Sequence, residues 1–288
     1  MRGMASAPHQ LDLADLSIVI PTKNNPVGLY HLLITCLEIF SPELCPHEIL
    51  VVDNLSSPAV ELPWQTTWGL PVKVLACTRP GLAAARNLGA QQARGHWLLF
   101  LESDCLLTST LISGYQQALC GALAYAGVVR AEGKDLLSRY SDTQNILNPP
   151  PLRAQDGMVS PTYLMTANTL IWRAAFLQVG GFDERVLWAS GEEIDLAMRL
   201  WALGPLASAP QAQVYQTVEP ELSAFVRRFV RSGRGLRLLS QRYQRDLRPQ
   251  PFAPVIPSLA NRLLAPPSTT HFGGAIRRRT GHGWQHIP

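Results

Sequence analysis

His96-Trp-Leu-Leu-Phe-Leu-Glu-Ser-Asp-Cys105 is the stretch whose reading decides the fold. Trp97 to Leu101 is unbroken apolar sequence, which suits a strand buried on both faces of a parallel sheet. Glu102 and Asp104 follow where such a strand would leave the core. Ligands of open α/β sheets bind at that edge. Two carboxylates that close repel each other unless a positive charge lies between them. A hard divalent cation is the natural guest, and a diphosphate is its usual second partner. The plain alternative is a solvated acidic turn, so the surrounding sequence has to decide.

Working outward, strands and helices alternate. Leu16-Ser-Ile-Val-Ile-Pro-Thr22 predicts a buried strand closed by a loop at Lys23–Pro26, with a helix over 27–40. His47–Asn54 predicts a strand ending in Asp53, and Pro71–Cys77 another. An alanine-rich helix is expected over 82–94 and a further helix over 109–119. Strands are expected at 124–130, 166–172 and 207–216, with helices at 173–179 and 191–203. The last helix shows an apolar stripe of Ile194, Ala197, Met198 and Trp201. The alternation predicts an α/β fold, Rossmann-like, with a mostly parallel sheet and helices on both faces. Residues 132–165 have little periodicity and read as a long functional loop. The expected organisation is a flexible arm at 1–15, a main domain at 16–220, a basic amphipathic helix at 221–248 and a Pro-rich, basic tail at 249–288.

Composition narrows the function classes. Of 288 residues, 47% are hydrophobic and 16% charged, enough for a large core. The net charge of +4 is too small for a nucleic-acid footprint. The excess is local: 225–248 holds eight arginines and one acid. The five cysteines form no C-x-x-C and no zinc spacing, as expected of reduced thiols. No leader-like apolar segment opens the chain, and no apolar run reaches the ~18 residues of a membrane span. The expected location is cytoplasmic, with at most peripheral contact at the inner membrane face through the basic helix.

Acids recur at element boundaries: Asp53, Glu102, Asp104, and Glu192, Glu193 and Asp195 together. Neither a G-x-G-x-x-G after the first strand nor a Walker lysine motif is present. Six pieces occur in order: Ile18-Val-Ile-Pro-Thr22 with Asn24; Val51-Val-Asp-Asn54 with Ser56; Ala85-Arg-Asn-Leu-Gly89; Phe100-Leu-Glu-Ser-Asp-Cys105; Val179-Gly-Gly-Phe-Asp183; and Gly191-Glu-Glu-Ile-Asp-Leu196. Over roughly 16–245 the series resembles the family 2 inverting glycosyltransferases, which have the A-type glycosyltransferase fold.

The resemblance implies transfer of a sugar from a nucleotide diphosphate sugar, UDP-linked or another, to an acceptor hydroxyl: glycan, lipid-linked or small molecule. It implies that Pro21, Thr22, Asn24, Asp53, Arg86 and Glu102 bind the nucleotide. Asp104, with Glu102, would hold a divalent cation, Mn2+ or Mg2+. Glu193 would be the general base. Trp188, just before that cluster in the sequence, is read as an acceptor-stacking residue, with a core tryptophan as the equal alternative. The sequence departs from the family at three points. Glu102 and Glu193 replace aspartates, and Gln216 stands where many relatives have a metal-binding histidine. Ser190-Gly-Glu-Glu193 is also a capping box, so Glu193 has a structural alternative, with Glu192 or Asp195 as base instead. The alternative function is a catalytically inactive sugar-nucleotide binding protein of the same fold.

Overall fold

The computed structural model describes residues 7–62, 69–149, 160–185, 191–218 and 221–244, with the backbone alone of 151–153, 159, 277–280 and 283–286. Eight strands form one sheet. Four parallel strands make its first half, in the order β3 (Val72–Ala76), β2 (Glu48–Asp53), β1 (Leu16–Thr22), β4 (Trp97–Leu101). β1, β2 and β4 are buried at every position, as continuous apolar runs require. The connecting helices are α1 (Pro26–Ile39) and α2 (Leu82–Gln92).

The second half departs from the parallel rule. β9 (Asn168–Trp172) runs antiparallel between β4 and β6 (Ala124–Glu132). β10 (Leu206–Thr217) is parallel to β6, and β5 (Cys105–Leu107) closes the sheet antiparallel to β10. Pro210 lies inside β10, which a register shift between Ala209 and Gln213 accommodates. These directions set the site. The carboxyl ends of β1, β2, β4, β6 and β10 meet at one edge, and reversed β9 brings the residues before it there too: Leu101 pairs with Asn168.

Three expectations are corrected. Residues 7–15 are not a loose arm: Ala7, Leu11 and Leu13 are buried, and Asp12 caps a 3-10 turn over Leu13–Asp15. The segment 132–165 contains helix α4 (Leu136–Thr143), capped by Asp135, and a hairpin of β7 (Pro151–Arg153) and β8 (Val159–Pro161). Its periodicity is only two turns long and was hidden among polar residues. In α6 (Glu192–Trp201) the buried face is Asp195, Leu196, Ala197 and Leu200, with Ile194 and Met198 half-buried. The stripe is therefore rotated from its expected position, because the acid Asp195 is itself buried. Farther along the chain, the backbone of β11 (Arg277–Thr280) pairs antiparallel with that of β12 (Gly283–His286). The remaining helices are α3 (Leu111–Ala118), α5 (Arg173–Gln178) and α7 (Leu222–Tyr243). No helix among the described residues is long and apolar enough to cross a membrane.

Candidate active site

The end of β1 supplies Pro21 and Thr22, both buried. The Thr22 hydroxyl is buried with no hydrogen-bond partner, an uncommon state for a buried polar atom. Asn24 takes a left-handed backbone (φ 52°), which asparagine tolerates. Its N–H donates to Ser56 Oγ (2.9 Å) and its Oδ1 accepts from the Ser57 N–H (2.8 Å). The loops after β1 and β2 are thereby joined into one wall. Asp53, at the end of β2, accepts from the Ser56 N–H (3.0 Å) and the Val60 N–H (3.1 Å). Burial pulls its pKa up, but the Ser56 and Val60 bonds outweigh that and hold it below the usual carboxylate range.

The turn after β4 carries Glu102 and Asp104, both half-buried. Glu102 Oε1 accepts from Arg86 Nη2 (3.1 Å) and from Thr166 Oγ1 (3.1 Å). Gln216, at the end of β10, donates its amide to Glu102 Oε2 (2.8 Å) and to both Asp104 oxygens (3.2 and 3.3 Å). Burial, and then the charge of Glu102, push the Asp104 carboxyl up to about 6. The cluster thus holds more negative charge than its neighbours neutralise.

A divalent cation fits this donor set. No group of three or more His, Cys, Asp or Glu suited to a metal occurs among the described residues. Two carboxylates with the Gln216 amide, which offers its oxygen when turned over, are still enough for an ion that completes its shell with diphosphate and water.

The second acidic cluster opens α6. Gly191 is its N-cap, at φ 134°, and its N–H is shared by Glu192 Oε2 (3.1 Å) and Glu193 Oε2 (3.2 Å). Ser190, the first residue of the expected capping box, and Trp188 lie outside the described residues. Burial, then the charge of Glu192, push the Glu193 carboxyl up to about 8, although Arg86 works the other way. Asp195 points elsewhere. It accepts from Arg199 Nη2 (2.6 Å) and Nε (2.9 Å), from Tyr243 Oη (2.5 Å) and from Arg242 Nη1 (3.4 Å).

Arg86 joins the two clusters. It comes from the buried face of α2 and is itself buried. One nitrogen donates to Glu102 and another to Glu192 Oε1 (3.3 Å), and the guanidinium lies 5.4 Å from the centroid of Phe182. Next to it, Asn87 donates to the Phe182 carbonyl (2.9 Å) and Glu184 (3.0 Å), and accepts from the Phe182 N–H (2.8 Å). The Gly-Gly-Phe-Asp turn is fixed by these bonds.

The structure therefore gathers Glu102, Asp104, Gln216, Arg86, Glu192 and Glu193, with Thr22, Asn24 and Asp53 along the same sheet edge. Sequence reasoning missed Thr166, because nothing local shows that β9 is reversed. It quoted Asn87 without a role, although an asparagine on the buried face of a helix needs partners.

A family model, "Glycosyl transferase family 2", matches residues 17–180. A curated relative, the "Pre-mycofactocin glycosyltransferase" of Mycobacterium tuberculosis, is 30% identical over 203 residues, covering 66% of this chain and 40% of the relative. The chain thus spans about two fifths of that relative's length. Among solved structures, the mannosyltransferase PcManGT from Pyrobaculum calidifontis in complex with GDP-Man and Mn2+ superposes with a TM-score of 0.58. It is 16% identical, over 79% of this chain and 64% of that one. GalNAc-T7 with UDP, GalNAc and Mn2+ gives 0.53 at 18% identity, over 71% of this chain and 43% of that one. Both likenesses concern the fold.

Proposed function

The chain belongs to glycosyl transferase family 2, and from that premise we propose that it transfers a sugar from a nucleotide diphosphate sugar to an acceptor hydroxyl, with inversion at the anomeric carbon. The observation that supports this reading is the pairing of the two acidic clusters across Arg86. One holds surplus negative charge at the diphosphate edge, and the other holds a half-buried carboxyl near neutrality.

The steps follow from the residues. Pro21, Thr22, Asn24 and Asp53 form the wall against which the nucleoside lies. The Thr22 hydroxyl has no partner of its own and is free to bond it. Arg86 and Thr166 hold Glu102 so that its remaining lone pairs face the ribose. Asp104 and Glu102 would hold the divalent cation, which when bound offsets charge gathering on the diphosphate. Glu193 takes the proton of the acceptor hydroxyl. The acceptor oxygen bonds to the anomeric carbon as the carbon–oxygen bond to the diphosphate breaks, and that electron pair leaves with the diphosphate. Asp195 is occupied by Arg199, Arg242 and Tyr243, so it serves as the anchor of α7 rather than as base.

The two solved neighbours carry GDP-Man in one case and UDP in the other, so the donor is to be found by experiment. The protein would be incubated with mixed nucleotide sugars and Mn2+ or Mg2+, and the retained species identified by mass spectrometry. The proposal expects one or a few nucleotide diphosphate sugars. Retention of none would sink it.

α7 also supports a partner. Leu222, Val226 and Val230 are exposed at i, i+4 and i+8, beside exposed Arg227, Arg231 and Arg234. We propose that this side meets an anionic surface, either a membrane with a lipid-linked acceptor or a polyanionic glycan. Anionic vesicles should carry the protein upward in a density gradient at low salt and release it at high salt. Equal recovery with neutral vesicles would remove the membrane.

A further inference from the structure

Of the six arginines along α7, five are exposed and one, Arg228, is half-buried. Helix phase explains the difference. Ala224, Gly235 and Leu239 are the buried positions of α7. Arg228 follows Ala224 by one turn and precedes Gly235 by two, so it lies on the same face.

That face is fixed at both ends. Near its start, Phe225 meets Tyr140 of α4 edge-on, with centroids 6.4 Å apart. Farther along, Gly235 lies against the N-cap of α6: a Cβ on Gly191 would stand 3.6 Å from the Gly235 carbonyl carbon. At the end, Tyr243 and Arg242 grip Asp195 of α6. α7 thus runs from the end of β10 to the start of α6. Those two elements carry Gln216 and Glu193, and where β10 ends, the Thr217 N–H bonds the Asp104 carbonyl (3.1 Å). Arg228 falls within this span, facing the domain.

Its charge reaches the site. It favours the ionised form of Tyr163, on which the charge of Glu193 acts in the opposite sense. Even so, Arg228 makes no ion pair among the described residues, whereas Arg242 on the same helix makes two. A half-buried guanidinium with no paired acid, at an edge built for a diphosphate, is suited to bidentate capture of phosphate oxygens.

We infer that Arg228 is a donor-binding residue that takes a phosphate oxygen of the nucleoside diphosphate, a cation built into the chain in addition to Arg86. This rests on the nucleotide-sugar reading above. It gives α7 a part in the reaction: the helix that closes the edge also brings charge to the leaving group.

The test is calorimetric binding of UDP, GDP and their nucleosides to wild type and Arg228→Gln, first with Mg2+ and then with EDTA. The expected result in EDTA is about 10–100-fold weaker binding of the preferred diphosphate, the cost of one charge-assisted pair. Binding of the matching nucleoside should be unchanged, which also shows that the variant is folded. Arg228→Lys should recover part of the loss. Equal diphosphate affinity for wild type and Arg228→Gln would overturn the inference and leave the nucleotide site standing. A wild type that binds no nucleoside diphosphate, with ADP, CDP and dTDP added to the panel, would overturn both. Equal losses for nucleoside and diphosphate would make Arg228 a structural residue and overturn the inference too.

Discussion

Glu102–Asp104 and Glu192–Glu193 are both pairs of acids at element ends, both touched by Arg86, and both contain a carboxyl whose pKa burial and a neighbouring acid raise. Their surroundings differ. The first pair is ringed by side-chain donors: Arg86, Thr166 and Gln216. Among the described residues the second is met by the N–H of Gly191, shared between two carboxylates, and by one nitrogen of Arg86. Donors that surround a charge keep it ionised and ready for a cation. A buried carboxyl with an acid beside it holds its proton more tightly and gives it up only near pH 8. The same residue type is thus prepared for two tasks by what lies around it.

The largest effect should come from breaking the second pair. Glu193→Gln keeps the shape and removes the proton acceptor. It should lower kcat by about 10²–10⁴-fold and leave the donor dissociation constant nearly unchanged. If stability and donor binding fall together with rate, Glu193 is a helix cap and the comparison fails. Breaking the first pair should act on a different quantity. Asp104→Asn should cost about 10²–10³ in metal-dependent rate and also weaken donor binding in Mg2+ or Mn2+. Wild-type turnover at saturating metal would mean that the cation is held elsewhere.

The two clusters were unequally legible in the sequence. Glu102 and Asp104 follow an apolar run with no other plausible structure, and β1, β2 and β4 are all buried as their composition demands. The parallel half of the fold and the order of its edge residues could therefore be read directly. The other half could not. Apolar runs do not reveal strand direction, so Asn168–Trp172 was recognisable as a strand but its reversal, which delivers Thr166, was not. β5, only three residues long, left no pattern at all. At α6 the acids were visible but not their division of labour. Asp195 pairs with Arg199 one turn on, but its other partners come from α7, 47 and 48 residues further on, and no local rule predicts that contact. Arg228 was one arginine among many until helix phase set it apart.

A smaller effect sharpens the comparison further. With the Glu193 carboxyl near 8, the base works only when deprotonated. kcat/KM should therefore fall as pH drops through about 8. After burial, the charge of Glu192 is the next cause of that rise. Glu192→Gln should move the acidic limb to lower pH, while burial keeps it above the ordinary glutamate range. A limb that stays in place would show that the two carboxylates do not act on each other.

The central claim is that the protein turns over a nucleotide diphosphate sugar, and release of nucleoside diphosphate tests it most directly. A panel of nucleotide sugars would be assayed with wild type in Mg2+, in Mn2+ and in EDTA, each with a mixture of candidate acceptors. The account predicts diphosphate release from a restricted set of donors. Divalent cation should stimulate it, and the Glu193→Gln protein should show almost none despite binding the same donor. Release that is equal in Glu193→Gln and wild type, or binding without release under every condition, would contradict it.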